Sequence, residues 1–201
     1  MTRLLLATRN TKKLEELRRI LAPALPELEV VGLAEVADYL ESPESGATFA
    51  DNAIVKAREG AQHSGLLTVA DDSGLAVDAL NGMPGVLSAR WAGRHGDDEA
   101  NLRLVLAQLS DTPDARLGAA FVCAAALADP DGGTRVVEGR MSGRLIREKR
   151  GEHGFGYDPI FVPDGHTRTS AELPPAEKDS ISHRGRALQA LLPMIVAAAN
   201  S

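Results

Sequence analysis

Apolar residues recur along this chain in two distinct periods. Residues 3–7 (RLLLA) form a short apolar run that predicts a buried strand, followed by the polar loop TRNT. KKLEELRRILAPAL then places Leu14, Leu17, Ile20 and Leu21 at helical spacing, with Glu and Arg on the other face. Pro23 ends that helix, and LEVVGL predicts a second strand, so the first segment reads as a β-loop-α-β unit. Residues 41–48 (ESPESGAT) are loop, and FADNAIVKAREGAQHSG predicts a helix from Phe49 with Gly65 as its stop. LLTVA and LAVDAL predict two strands flanking a pair of aspartates. NGMPGVLSARWAGRHG is Gly-rich and irregular, and DDEANLRLVLAQL is a helix opened by acidic residues.

The second half continues in both periods. ARLGAAFVCAAALAD and TRVVEGRMSGRLI predict two long strands joined by PDGG, a hairpin. GEHGFGYDPIFVP reads as a Gly-rich loop entering a short strand, and SHRGRALQALLPMIVAAA as a terminal amphipathic helix kinked or split at Pro193. Parallel crossovers together with a hairpin imply an α/β protein with a mixed sheet. No repeat or low-complexity linker interrupts the 201 residues, which are expected to form a single domain, 1–201.

Composition sharpens this outline in two ways. Aromatics make up only 3% of the chain, so aliphatic residues must build the core and Trp91, Phe155 and Tyr157 each need an explanation. Trp91 reads as half-buried packing. The single cysteine, Cys123, lies in the apolar run AAFVCAAAL and reads as a buried small hydrophobe. The net charge of -6 gives no basic face for a nucleic-acid polymer, although a local basic pocket for a small anion stays compatible with it. MTRLLLATRN turns polar too early for a secretory signal core, and no apolar run is long enough to span a bilayer. A cytoplasmic protein without a membrane partner is expected.

ADDSGLAVDAL, beginning at Ala70, puts two aspartates where burial should penalise them. Strand side chains alternate between faces, so Asp71 and Asp72 would do different jobs, one of them beside a lysine. A divalent cation there would need a further carboxylate, and Glu41, Glu44 and Asp51 are the candidates; the competing reading is a solvated DSG turn. Three other segments carry donors. Thr8-Arg9-Asn10-Thr11-Lys12-Lys13 lies at a strand–helix junction suited to phosphate, or to a simple cap by Asn10 or Thr11. GFGYDP lets backbone approach a ligand beside Phe155, which either stacks on a planar base or plugs the core. EKDSISHRG offers Lys178, His183 and Arg184 to base or phosphate oxygens, or forms a charged face with a capping serine. Asn52 and Lys56, four apart, share one helix face and either bind ligand or pair with nearby acids.

Six stretches, ATRNTKKLEEL, ESGATFADNAIVKA, ADDSGLAVDAL, GMPGVLSARWAG, GFGYDPIF and EKDSISHRGRAL, occur in an order that resembles the inosine/xanthosine triphosphate pyrophosphatase family (RdgB-like house-cleaning nucleotide pyrophosphatases). Arg9 departs from that pattern, which often has glycine or serine there. The resemblance implies a long central mixed β-sheet with two helix-flanked lobes around a substrate cleft, usually as a homodimer. It implies a Mg²⁺-dependent enzyme that hydrolyses the purine nucleoside triphosphates ITP, dITP and XTP to monophosphate and pyrophosphate. Carried onto this chain, Thr8, Asn10 and Lys13 would hold the triphosphate, and Glu44 and Asp72 the Mg²⁺, with Asp72 also the base. Ser73 would touch substrate, and Phe155, Gly156, Tyr157 and Asp158 would wall the purine. Lys178, His183 and Arg184 would contact the base and its 6-oxo group. Two other expectations compete: a metal-dependent phosphomonoesterase with an Asp nucleophile, and a nucleotide-binding module without turnover.

Overall fold

The computed structural model describes residues 3–199. Six strands form one mixed sheet in the order β2-β1-β3-β4-β5-β6, with helices flanking it. The β-loop-α-β unit predicted at the start is present: β1 (Arg3–Leu6) and β2 (Glu29–Gly32) are parallel neighbours linked through α1 (Thr11–Leu21). Helix α2 (Phe49–Ser64) makes a second crossover to β3 (Leu67–Val77), which lies parallel to β1 on its other side. Helix α3 (Asp98–Gln108) leads to β4 (Gly118–Ala128) and β5 (Thr134–Leu145), sheet neighbours joined by a short turn in which the Asp129 amide donates to the Gly133 carbonyl. Strand β6 (Phe161–Pro163) pairs antiparallel with β5, and two helices, α4 (Pro175–Ile181) and α5 (His183–Ala199), complete the chain.

The chain divides into two compact units whose boundaries fall inside β3, β4 and β5. Among the described residues the first comprises 3–72, 123–139 and 184–199, the second 73–122 and 140–183. Unit 1 shows directly how strand alternation builds a core. Leu4, Leu6, Cys123, Ala125 and Leu127 pack with Leu17 and Leu21 of α1 and Leu188, Leu191 and Ile195 of α5. The intervening residues Leu5, Ala7, Ala124, Ala126 and Ala128 meet Ala53, Ala57 and Ala61 of α2. Alanine predominates among the buried residues of that second seam, with Val31 and Leu33 also in it. Thr48 and Asp51 cap α2 reciprocally, and Gly65 ends it in the left-handed conformation at φ 68.

Unit 2 packs Leu75, Val77, Leu117, Phe121, Met141, Leu145 and Phe161 against Leu102, Val105 and Leu109 of α3. Tyr157 and Ile160 belong to the same cluster, and Trp91 packs on its margin with its indole N–H donating to Gln108 at 2.8 Å. Cys123 is fully buried, as its apolar run predicts.

Two sequence expectations change. LLTVA and LAVDAL are not two strands around a turn: β3 runs unbroken from Leu67 through Asp71, Asp72 and Ser73 to Val77. The last residues of LAVDAL, Asp78–Leu80, instead form a 3-10 turn closed by Asn81 in the left-handed region. Lys178 lies in the short helix α4, which Pro175 opens just before the last helix. Pro193 does not split α5, which continues through it.

Candidate active site

Unit 1 gathers a charged cluster around the two aspartates of β3. Because they are consecutive in a strand, they face opposite ways and acquire separate partners. Asp71 Oδ2 accepts from Lys13 Nζ at 2.9 Å and from Arg184 Nε at 3.1 Å, and Arg184 Nη1 donates to Glu16 Oε2 at 2.8 Å. All of these side chains are buried or nearly so. Burial pushes the Asp71 carboxyl up, yet the charges of Lys13, Arg184 and Lys56 outweigh it and hold it well below the usual carboxylate range. The same balance holds the Arg184 guanidinium charged: burial opposes it, and Asp71 and Glu16 prevail. Cys123 Sγ lies 3.8 Å from Asp71, and burial, reinforced by that carboxylate, pushes its thiol far up. It is an inert packing group.

Lys13 belongs to the first turn of α1, and Asn10 caps that helix by accepting from the Lys12 and Lys13 amides at 3.0 and 3.3 Å. Thr8 Oγ1 accepts from the Asn10 amide at 3.2 Å, which folds the TRNT loop back on itself. Arg9 pairs with Glu41 at 2.6 Å and Asp38 at 3.3 Å on the surface. The loop therefore presents a helix N-terminus with an ammonium anchored beside it, a place suited to an anion.

Asp72 faces the loop and helix that precede it. Asn52 Nδ2 donates to its Oδ2 at 2.8 Å, and Lys56 Nζ lies 3.7 Å from its Oδ1 while donating to Glu44 Oε1 at 2.8 Å. Burial raises the Asp72 carboxyl above its ordinary value; Lys56 and Asn52 lower it, and the Glu44 charge adds to the rise. For Lys56, burial works against the charge, but Asp72, Asp71 and Glu44 together hold the ammonium above the ordinary lysine range. Of the three carboxylates considered for a partner to Asp72, Asp51 is engaged in the α2 cap and Glu41 in the Arg9 pair. Glu44 alone of these shares a cation with Asp72. Two hard carboxylate oxygens arranged about a positive charge match Mg²⁺, which binds through one or two carboxylates and completes its shell with water or phosphate. Among the described residues no cluster of three or more His, Cys, Asp or Glu could hold a metal by itself.

Unit 2 carries the GFGYDP loop. Asp158 is buried and its Oδ2 accepts from the Phe155 amide at 2.9 Å and from Lys178 Nζ at 2.6 Å. Gly154, at φ 78, fills a position where a Cβ would collide with that carboxylate. The Gly156 amide donates to Asp98 Oδ2 at 2.9 Å, and Tyr157 OH donates to the Ser88 carbonyl at 2.8 Å. Burial, with Asp98 adding, pushes the Tyr157 phenol far up, so it stays a donor. Pinned on three sides, the loop leaves Phe155 37% exposed, with Lys178 Nζ 5.5 Å from its ring centroid. His183 is buried and stacks on Phe121 at 5.0 Å. Ser73 follows Asp72 in β3 and is half-buried.

Thus Thr8, Asn10, Lys13, Glu44, Asp72 and Arg184 fall in unit 1, and Ser73, Phe155, Gly156, Tyr157, Asp158, Lys178 and His183 in unit 2. His183 and Arg184 are adjacent in sequence yet serve different units; Arg184 spends its guanidinium on Asp71 and Glu16. Glu16, Ser88 and Asp98 gave no signal in the sequence, because each looks like an ordinary helix or loop polar residue. The Asn52–Lys56 spacing did carry one.

Fold and clusters together define an α/β protein with an acidic pair fit for a divalent cation, a lysine-bearing helix N-terminus and an exposed aromatic framed by donors. A family model described as Ham1 family matches residues 4–194, and the chain belongs to the Ham1 family. It is 63% identical over 194 residues to a dITP/XTP pyrophosphatase of Mycobacteroides abscessus, spanning 96% of this chain and 94% of that one. A crystal structure of the nucleoside-triphosphatase / dITP/XTP pyrophosphatase from Mycobacterium abscessus is 64% identical, with TM-score 0.78 over 96% of this chain and all of that one. A HAM1 protein from Coxiella burnetii matches at 41% identity and TM-score 0.86, covering 98% of this chain and 100% of its own. No helix among the described residues is long and apolar enough to cross a membrane.

Proposed function

We propose that this protein is a nucleoside-triphosphate pyrophosphatase that hydrolyses ITP, dITP and XTP to the monophosphate and pyrophosphate. It would act in the cytoplasm, on small-molecule purine nucleotides rather than a nucleic-acid polymer, as a homodimer. The observation that carries the reading is the acidic pair Glu44–Asp72 sharing the Lys56 ammonium, in the same unit as the Lys13-bearing helix N-terminus. The relatives described above, dITP/XTP pyrophosphatases, support the substrate class.

Glu44 and Asp72 would hold Mg²⁺, which when bound neutralises charge gathering on the phosphoryl oxygens. The chain's own residues do the rest. Lys13, fixed by Asp71, directs its ammonium to the triphosphate, and Thr8 and Asn10 shape the loop that presents it. Asp72, its Oδ2 occupied by Asn52, takes the proton of the attacking water at Oδ1 as the new P–O bond forms and the α–β anhydride bond breaks. Phe155 stacks on the purine, and Gly156, Tyr157 and Asp158 form its wall. Lys178 and His183 direct donors at the 6-oxo group, which hypoxanthine and xanthine present and adenine replaces with an amino donor. Facing buried donors with a donor is expected to give a selectivity of about 10² or more against ATP. Arg184 contributes through the Asp71 network, with Ser73 reaching substrate from β3.

The test is a panel of nucleoside triphosphates with Mg²⁺, with pyrophosphate and orthophosphate measured separately. Pyrophosphate from ITP, dITP and XTP, lost with chelator and restored by Mg²⁺, is the expected result. Orthophosphate as first product would favour the phosphomonoesterase, and binding without turnover a sensing module. A second expectation concerns the base: Phe155→Ala raises KM for ITP by roughly 10-fold, one stacked base being worth about 1–3 kcal/mol. An unchanged KM in steady-state kinetics would remove the stacking role.

A further inference from the structure

Asn52 is 3% exposed, on the inner face of α2, and uses both ends of its amide. The Gly46 backbone N–H donates to Asn52 Oδ1 at 2.7 Å, and Asn52 Nδ2 donates to Asp72 Oδ2 at 2.8 Å. The orientation is chemically forced. A backbone N–H can only donate, so the oxygen must face Gly46; that leaves the NH₂ for the carboxylate. One side chain therefore joins the loop that carries Glu44 to the strand that carries Asp72. Gly46 is shaped for that contact: a Cβ there would lie 2.6 Å from Asn52 Oδ1 and 2.7 Å from Asp51 Cβ.

We propose that Asn52 is the positioning residue of the acidic pair, setting the rotamer of Asp72 and the approach of the Glu44 loop at once. By engaging Oδ2 it turns Oδ1 toward the Lys56 ammonium that Glu44 also holds. Two carboxylates on separate segments repel each other and need an external brace to converge. Lys56 supplies the charge that offsets repulsion, and Asn52 supplies the geometry. Asp would set a third carboxylate against Asp72, and Ser or Ala could not span both partners. This inference rests on the reading of Glu44 and Asp72 as cation ligands.

The experiment uses the full chain with Mn²⁺ as probe, its binding followed by electron paramagnetic resonance, alongside steady-state kinetics. Asn52→Ala is expected to weaken Mn²⁺ binding by about 10–100-fold, the usual effect of removing a partner that orients a metal ligand. Its kcat/KM should fall by about 10²-fold through misplacement of the reacting groups. Gly46→Ala, which leaves Asn52 intact but forces the loop off it, should reproduce both losses. The double variant should be little worse than either single one, because both break the same bridge. Without any metal, the Gly46 amide should exchange its hydrogen faster in Asn52→Ala. If wild type binds no Mn²⁺, both the acidic-pair reading and this role fall. If wild type binds it, and both single variants bind equally tightly or their effects multiply, the role of Asn52 alone is overturned.

Discussion

Asp72→Asn is expected to lower turnover of dITP by about 10²–10⁴-fold, the range supplied by a positioned general base. The substitution is nearly isosteric. Its side-chain oxygen can still accept from Asn52, so α2 and β3 stay docked through the contact that now measures 2.8 Å. What disappears is the negative charge facing Lys56 at 3.7 Å, and with it both the proton acceptor and half of the cation site that we propose for Asp72. Stopped assays of pyrophosphate release measure the loss, and equilibrium binding of the nucleotide measured in parallel separates chemistry from recognition. Retained binding with lost turnover is the expected pattern. Turnover at the wild-type rate would strip Asp72 of its role.

The second large effect is one of stability and lies one residue away. Asp71→Asn is expected to destabilise the fold by about 3–5 kcal/mol, as when one partner of a buried ion pair is removed. Lys13 and Arg184 would be left facing a neutral amide in a buried site, with Glu16 answering only one of them. Urea unfolding at neutral pH checks the magnitude. Its pH dependence has a definite sign. The folded-state pKa of Asp71 is depressed by Lys13 and Arg184 against the opposing influence of burial, so its ionised form stabilises the fold above the ordinary aspartate value. That contribution is lost as pH falls below about 4, towards the depressed folded value. The gap between wild type and Asp71→Asn should therefore be full at neutral pH and narrow in acid. A gap that is small at pH 7, or that widens in acid, would show that the pair does not stabilise the fold.

These two neighbours show how far the sequence reaches. Two consecutive aspartates in an apolar setting already announced two different tasks, because strand alternation is a local rule. The crossovers, the capped helix α2 and the β4–β5 pair were likewise written in short-range periodicity and turn chemistry. Strand propensity misled at Asp71 to Gly74, where residues that favour turns are held in β3. There the partners are decisive: Lys13 and Arg184 on one face, Asn52 and Lys56 on the other, each offsetting a desolvation cost that local propensity counts in full.

By itself the sequence determined the alternating α and β elements, the candidates for charge and stacking, and the kinship that six ordered motifs express. Only the tertiary structure decided who pairs with whom. It chose Glu44 over Glu41 and Asp51 as the companion of Asp72, gave Asp51 to a helix cap, and set Arg184 on Asp71 and Glu16, far off in the chain. The reason is physical: a carboxylate's identity is local, but its ionisation, rotamer and counter-charge depend on residues that only folding brings within hydrogen-bond reach. Asp71 and Asp72 are the same amino acid in the same strand, and their surroundings alone push one carboxyl down and the other up.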